Sequence, residues 1–372
     1  MRVAIVHDWL YVIGGAERVL KELISCYPDA DLFTIFDALS DEDRKYLGAK
    51  TIRTSFLQKM PFISRKHRFY LPFMPFAIEQ FDLSEYDLVI SSSASVAKGV
   101  LTGPDQIHIS YVHSPMRYAW DLQHAYLAQS KLTRGLRSVL ARMMLHWLRI
   151  WDVRTAFGPD VVIANSSFVA RRIRKSSGRK ALVVHPPVVQ AAVSAAALPK
   201  KNYFLAASRL VPYKNIDRIV AAFADLPDER LIVAGDGPLA AQLRAAATPN
   251  VTFTGYVADA EMRRLMGEAR AFIFAAEEDF GIIPVEAQAE GTPVLALERG
   301  GACETVVKDR TGLFFDRPQP DAIARCVREF IAVEDRLSPE HCREQAAKFT
   351  PERFRNDIEA IVSRQMSAEM AI

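Results

Sequence analysis

Phe272-Ile-Phe-Ala-Ala-Glu-Glu-Asp-Phe-Gly-Ile-Ile-Pro-Val-Glu-Ala-Gln-Ala-Glu-Gly-Thr-Pro-Val-Leu-Ala296 decides the fold. A short apolar run (Phe272 to Ala275) reads as a strand. It passes through an acidic loop into a helix opening near Pro284, a residue suited to the first helical position. Gly291 and Pro293 close that helix, and a second apolar run follows at once. Strand, helix, strand at this spacing is a parallel-sheet crossover, which buries its strands on both faces.

The same rhythm extends in both directions. Toward the N-terminus the apolar runs are Val3 to Val6, Asp31 to Phe36, Leu88 to Ser91, His108 to Val112, Val161 to Ala164 and Leu182 to Val184. After residue 200 they are Tyr203 to Ala207, Arg230 to Ala234, Val251 to Thr254, Ala271 to Ala275, Val294 to Ala296 and Gly312 to Phe315. The segment Pro186 to Lys201, proline-flanked and lacking periodicity, reads as a linker. The expected architecture is α/β: two facing doubly wound, Rossmann-like parallel-sheet domains with a cleft between them. Their bounds are 1–188 and 202–350, and a terminal helix occupies 351–372. In such sheets ligands bind outside the carboxyl ends of the strands.

Composition narrows the function. The chain has 372 residues and a net charge of only +3, too small to argue for nucleic acid. Cys26, Cys303, Cys326 and Cys342 match no metal-ligand spacing and read as reduced thiols. The start MRVAIVHDWL lacks the apolar core and cleavage site of a signal peptide. No apolar run reaches the ~18 residues of a spanning helix. A cytoplasmic protein is expected.

Four groups of residues sit where chemistry is expected. In the acidic loop, Glu278 precedes Glu286 by eight positions, placing the two carboxylates at different depths of one strand-end pocket, with Glu286 in the first helical turn. Between them Phe280, Gly281, Ile282 and Ile283 bring backbone N–H groups to a helix N-terminus, which favours an anion such as a phosphate. Carboxylates repel phosphate and accept bonds from hydroxyls, so a ligand bearing both suits the whole set. The plain alternative is a capped helix whose Glu286 complements the dipole.

Arg209 and Lys214 follow the strand YFLAASRL and supply cations, a fork and a movable point charge respectively. Gly14 and Gly15 follow the first strand without G-x-G-x-x-G spacing, which disfavours a nicotinamide enzyme. The GDGP at Gly235 to Pro238 reads first as a tight turn. His113 ends another strand, among Arg117, Tyr118, Trp120 and Asp121, a mixture suited to sugar.

In this order the GG turn, HSP, S-R-x-x-x-x-K, GDGP and Glu-x7-Glu resemble retaining glycosyltransferase family 4, of GT-B fold. The stretch HSPMRYAWDLQHAYL is similar to bacterial mannosyltransferases of polysaccharide and O-antigen assembly. The resemblance implies a hexosyltransferase that needs no cofactor and no metal, taking a nucleotide sugar, GDP-mannose first, and handing the sugar to a saccharide or lipid-linked acceptor. It assigns Arg209 and Lys214 to the donor diphosphate and Glu278, with the backbone after Asp279, to the sugar. Glu286 goes to the ribose, Gly14–Gly15 to the diphosphate from the other domain, and His113 to a place beside the sugar. The last helix crosses back onto the first domain. Asp279 stands where the family pattern has glycine, adding a carboxylate. A UDP- or dTDP-linked donor, a sugar-nucleotide epimerase and a two-lobed binding protein are the alternatives.

Two stretches bear on the membrane. Lys131 to Arg154 reads as one helix, with Leu132, Leu136, Val139, Leu140, Met143, Trp147 and Trp151 within roughly 120° of arc. Arg134, Arg142 and Arg149 lie opposite. Such an arc either packs beneath the sheet or meets an anionic surface. The basic, aromatic Arg65 to Phe76 is the expected peripheral contact.

Overall fold

The structure, a computed structural model, describes residues 1–189 and 198–369. Half of the linker read at Pro186 to Lys201, and the last three residues of the chain, lie outside the described residues. The chain divides into two compact units: Met1–Pro187 with the chain from Phe354 onward, and Val188–Arg353.

The first unit is built on a parallel sheet of seven strands, ordered β3-β2-β1-β4-β5-β6-β7. The strands are β1 (Val3–His7), β2 (Asp31–Thr34), β3 (Thr51–Thr54), β4 (Leu88–Ser93), β5 (Ile107–Val112), β6 (Val161–Ala164) and β7 (Leu182–Val183). Every residue of β1, β4 and β5 is buried, as a central strand covered on both faces requires. The sequence reading passed over β3: its TIRT is polar and mostly exposed at the sheet edge, so no apolar run marks it.

Chain order reverses between β1 and β4, which pair in register from Val3↔Leu88 to His7↔Ser92. The helix Pro351–Glu369 joins this unit by burying Phe354, Ile358 and Val362 against Val19, Leu20 and Leu23. Phe354 meets the Tyr111 ring edge-on at 5.6 Å, and Arg355 pairs with Glu22.

The second unit holds a six-stranded parallel sheet, ordered β10-β9-β8-β11-β12-β13. Its strands are β8 (Phe204–Ala207), β9 (Leu231–Ala234), β10 (Val251–Gly255), β11 (Phe272–Phe274), β12 (Val294–Leu297) and β13 (Gly312–Phe315). Here the order reverses between β8 and β11. In both units, therefore, the switch point of the sheet, where such folds bind ligands, lies between two identified strand ends.

Two helices differ from expectation. The first begins at Leu136, not Lys131, and runs to Thr155. Lys131 (φ 56°) and Gly135 (φ 83°) take left-handed backbone that a helix cannot include. It buries Leu145, Leu148 and Trp151, whereas most of the expected apolar arc faces solvent. The second spans Ile282–Ala289, so Pro284 is its third residue. Gly281, at φ 82°, turns the chain into the helix two residues early. Pro284 is tolerated because a first-turn N–H has no intrahelical acceptor to lose. Glu286 consequently sits in the second turn rather than the first.

Candidate functional site

At the switch point of the second unit, the loop after β8 carries Arg209 and Lys214, and the loop after β11 carries Glu278 and Asp279. Two glycine devices hold these loops. A Cβ on Gly235 would stand 2.0 Å from the Ser208 carbonyl oxygen, and one on Gly237 2.5 Å from that of Leu210. The GDGP turn is thus pressed against the backbone on either side of Arg209. Leu210 N–H donates to the Asp236 carbonyl at 2.9 Å and fixes the pair.

Gly300 and Gly301 do the same for the acidic loop. Their Cβ positions would fall 2.4 Å from the Glu278 carbonyl oxygen and 2.3 Å from the Phe280 Cα, and Gly301 N–H donates to Glu278 at 2.8 Å. The sequence reading missed this second pair; R-G-G-A after β12 was the available signal.

The two loops meet. Lys214 Nζ forms an ion pair with Glu278 Oε1, both side chains largely withdrawn from solvent. Asn215 braces the contact: it adopts left-handed backbone (φ 55°), and its side-chain amide donates to the Ala275 carbonyl at the end of β11 at 2.9 Å. Asn215 was also missed, although asparagine tolerates that conformation better than most residues. Arg209, on the same loop as Lys214, is exposed, and Phe280 is buried against Phe349, ring centroids 5.4 Å apart. Gly281, Ile282 and Ile283 open the helix, whose dipole and first-turn N–H groups face this end. Glu286 is half-buried on that helix. Anion-binding groups and carboxylates therefore share one strand-end region.

The switch point of the first unit is chemically different. Gly14 and Gly15 open the helix Gly15–Cys26, and Gly14 N–H donates to Glu17 Oε2 at 2.9 Å. The other oxygen of Glu17 faces His7 Nε2 at 3.6 Å. His7 Nδ1 is bonded to Ser92 Oγ at 3.1 Å, and the same oxygen to His113 Nε2 at 2.8 Å. Ser92 Oγ thus bridges the two rings, and the Glu17 carboxylate faces the edge of His7 turned away from it. Burial, and then the neighbouring His7, push the His113 pKa down to about 3. His113 is a neutral ring.

Three neighbours of His113 that suited sugar are committed elsewhere. Tyr118 Oη bonds Ser95 Oγ at 2.7 Å, Trp120 Nε1 donates to Asp152 at 2.8 Å, and Asp121 pairs with Arg172 at 2.6 Å. They fasten the segment rather than present it. Asp8, which the sequence reading also passed over, accepts the backbone N–H groups of Ala94, Ser95, Val96 and Ala97 at 2.6 to 2.9 Å and so fixes the turn after β4.

Residues 13–193 match the family Glycosyltransferase Family 4, and residues 190–349 match Glycosyl transferases group 1. Over 213 residues the chain is 33% identical to a GDP-mannose-dependent alpha-(1-6)-phosphatidylinositol monomannoside mannosyltransferase of Mycobacterium tuberculosis, covering 49% of this chain and 55% of that protein. A protein of the same description from Mycolicibacterium smegmatis is 30% identical over 236 residues, covering 53% and 62%. The matches thus span little more than half the length of these curated relatives. Among solved structures, sucrose-phosphate synthase from Thermosynechococcus elongatus has a TM-score of 0.72 at 18% identity, with 99% and 100% of the two chains covered. Anabaena HepE, in complex with UDP-glucose, has a TM-score of 0.68 at 19% identity, with 98% and 100% covered. These likenesses are of fold, and the fold is GT-B.

Proposed function

Because the chain belongs to the glycosyltransferases of family 4, we propose that it moves a hexose from a sugar nucleotide to an acceptor hydroxyl, with retention and without a metal. Mannose from GDP-mannose is the favoured donor, since relatives 33% and 30% identical to it over the matched stretches are named as GDP-mannose-dependent. Domain 1–188 is the acceptor side and 202–350 the donor side, with 351–372 closing on the former.

The observation that supports the reading most is the pairing of Lys214 with Glu278 at the β8 and β11 ends. Transfer builds negative charge on the departing diphosphate. Arg209, Lys214 and the N-terminus of Ile282–Ala289 stabilise it as preorganised positive groups. Glu278 accepts from hydroxyls of the transferred sugar, with Asp279 beside it, and holds Lys214 in place meanwhile. Glu286 accepts from the ribose. From the first unit, Gly14–Gly15 attends the diphosphate and neutral His113 the sugar. The acceptor is a saccharide or lipid-linked saccharide of cell-surface polysaccharide assembly. Such an acceptor brings the enzyme to the inner face of the cytoplasmic membrane.

The test is a melting-temperature panel with GDP, UDP, ADP and dTDP, since a ligand that binds only the folded state raises its apparent stability, joined to an assay of nucleoside diphosphate release from each sugar nucleotide. The expected result is the largest shift with GDP and release from GDP-mannose. A larger response to UDP replaces the donor; no shift and no release with any of them overturns the reading.

A further inference from the structure

The helix Leu136–Thr155 is anchored along one side only. Leu145, Leu148 and Trp151 are buried in a cluster with Leu57, Ile63, Met74 and Ile78, which come from the Arg53–Ile78 stretch. On the opposite side Leu136, Val139, Leu140, Met143, Trp147 and Ile150 are 75%, 51%, 57%, 64%, 45% and 59% exposed. At about 100° per residue these six fall within roughly 100° of arc. They form a continuous apolar stripe about 20 Å long.

The neighbouring stretch adds to it. Phe62, Phe69, Phe73 and Phe76 are exposed as well, and Trp151 Nε1 donates to Glu79 at 2.8 Å, tying that stretch to the helix. Isolated exposed apolar residues are ordinary, but a contiguous patch marks an interaction surface.

Charge identifies the partner. The chain as a whole is nearly balanced, 47 Lys and Arg against 44 Asp and Glu. Yet residues 122–151 contain Lys131, Arg134, Arg137, Arg142 and Arg149 and not one carboxylate; residues 44–78 also contain none, with Lys59, Arg65, Lys66 and Arg68 among their cations. A second copy docked through this face about a two-fold axis would set cations against cations. An anionic bilayer offers both an apolar interior for the stripe and a negative headgroup layer for its flanks. No described helix is long and apolar enough to cross a membrane.

We propose that the first unit lies on an anionic lipid surface with the Leu136–Ile150 stripe as its inserted wedge and Arg65–Phe76 as a flanking contact. The inference deepens the proposed lipid-linked acceptor and rests on that reading for its purpose, but the donor chemistry is independent of it.

The experiment is co-sedimentation of the full chain with vesicles of phosphatidylcholine alone and with 40% phosphatidylglycerol, for wild type and for Leu136→Ser/Leu140→Ser/Met143→Ser. The Arg65→Ser/Lys66→Ser/Arg68→Ser variant is run alongside. GDP melting shifts, measured on every variant, report folding and donor binding separately. We expect binding to anionic vesicles that weakens clearly as salt rises, at least a ten-fold loss in the stripe variant, a smaller loss in the cation variant, and unchanged GDP shifts. Trp147 emission moves to the blue on binding, and Trp147→Phe removes that change. Wild-type partitioning in the stripe variant, equal binding to both vesicle types, or a dimer in sedimentation velocity that the stripe variant abolishes would each overturn the inference. Loss of the GDP shifts with vesicle binding intact would instead count against the donor reading alone.

Discussion

The two units share one sheet topology around their switch points and fill them with opposite electrostatics. In the second unit the strand ends carry an exposed guanidinium, an ion pair between Lys214 and Glu278, and a helix N-terminus, all on loops pinned by backbone contact with glycine. In the first they carry a buried polar chain, with Glu17 facing His7, Ser92 bonded to both His7 and His113, and the His113 ring neutral. In the proposed reading the second unit's strand ends meet most of the charge of the diphosphate, and the His113 end of the first meets the uncharged sugar. Net charge could not reveal this; only the placement of charge relative to strand ends does.

The largest expected effect breaks the charged side. Arg209→Ala or Lys214→Ala lowers transfer by about 10²-fold, the size associated with losing one preorganised stabilising group. Steady-state rates alongside melting curves check that the fold persists. Near-normal turnover in both variants would remove the distinction between the units.

Acid attacks the other side. The pKa values of His108 and His113 are each pushed from 6.5 to about 3, in both cases chiefly by burial. Below pH 6.5 the unfolded chain takes up these protons and the folded chain does not, so stability falls as pH drops through that window toward 3. Each histidine then costs ~2 kcal/mol at pH 5 relative to pH 7.5. Urea unfolding at the two pH values should show it, and His108→Gln should flatten the dependence. A pH-independent midpoint would mean these rings are hydrated.

Smaller effects sharpen the assignment within each unit. Glu286→Ala should weaken GDP binding about ten-fold through lost hydrogen bonds to ribose, while Glu278→Ala leaves GDP affinity within about three-fold and reduces turnover with the intact donor. Equal losses of GDP affinity would merge the two roles. Ser92→Ala, which disconnects His113 from His7, should lower turnover only ~2–10-fold, the worth of one hydrogen bond, and leave calorimetric GDP affinity unchanged.

The difference between the units also explains what could be read in advance. Strands such as Val161–Ala164 and Gly312–Phe315 are dense local apolar runs, and they lie where the sequence places them. The groups on their loops are legible because they follow directly in sequence. Contacts that cross the sheet are not. Ser92 reaches His7 because β4 pairs with β1 across 85 residues, and no local pattern signals that. Asn215, Gly300 and Gly301 act on backbone atoms of loops 60 and 22 or 21 residues away, which a single sequence does not display. Nor did the Leu136–Ile150 arc announce its direction: periodicity gives an apolar face, and only the anchoring of Leu145 on the other side of the helix shows which way it points.

The central claim is that Arg209 and Lys214 hold a diphosphate. It is tested most directly by calorimetric binding of GDP and GMP to wild type and to Arg209→Ala/Lys214→Ala. If the claim holds, the wild type prefers GDP by about 10²-fold, consistent with charge-assisted bonds to the second phosphate. In the double variant the preference collapses to within about three-fold, GMP affinity changing much less than GDP affinity. A preference for GDP that survives the double substitution would contradict the account.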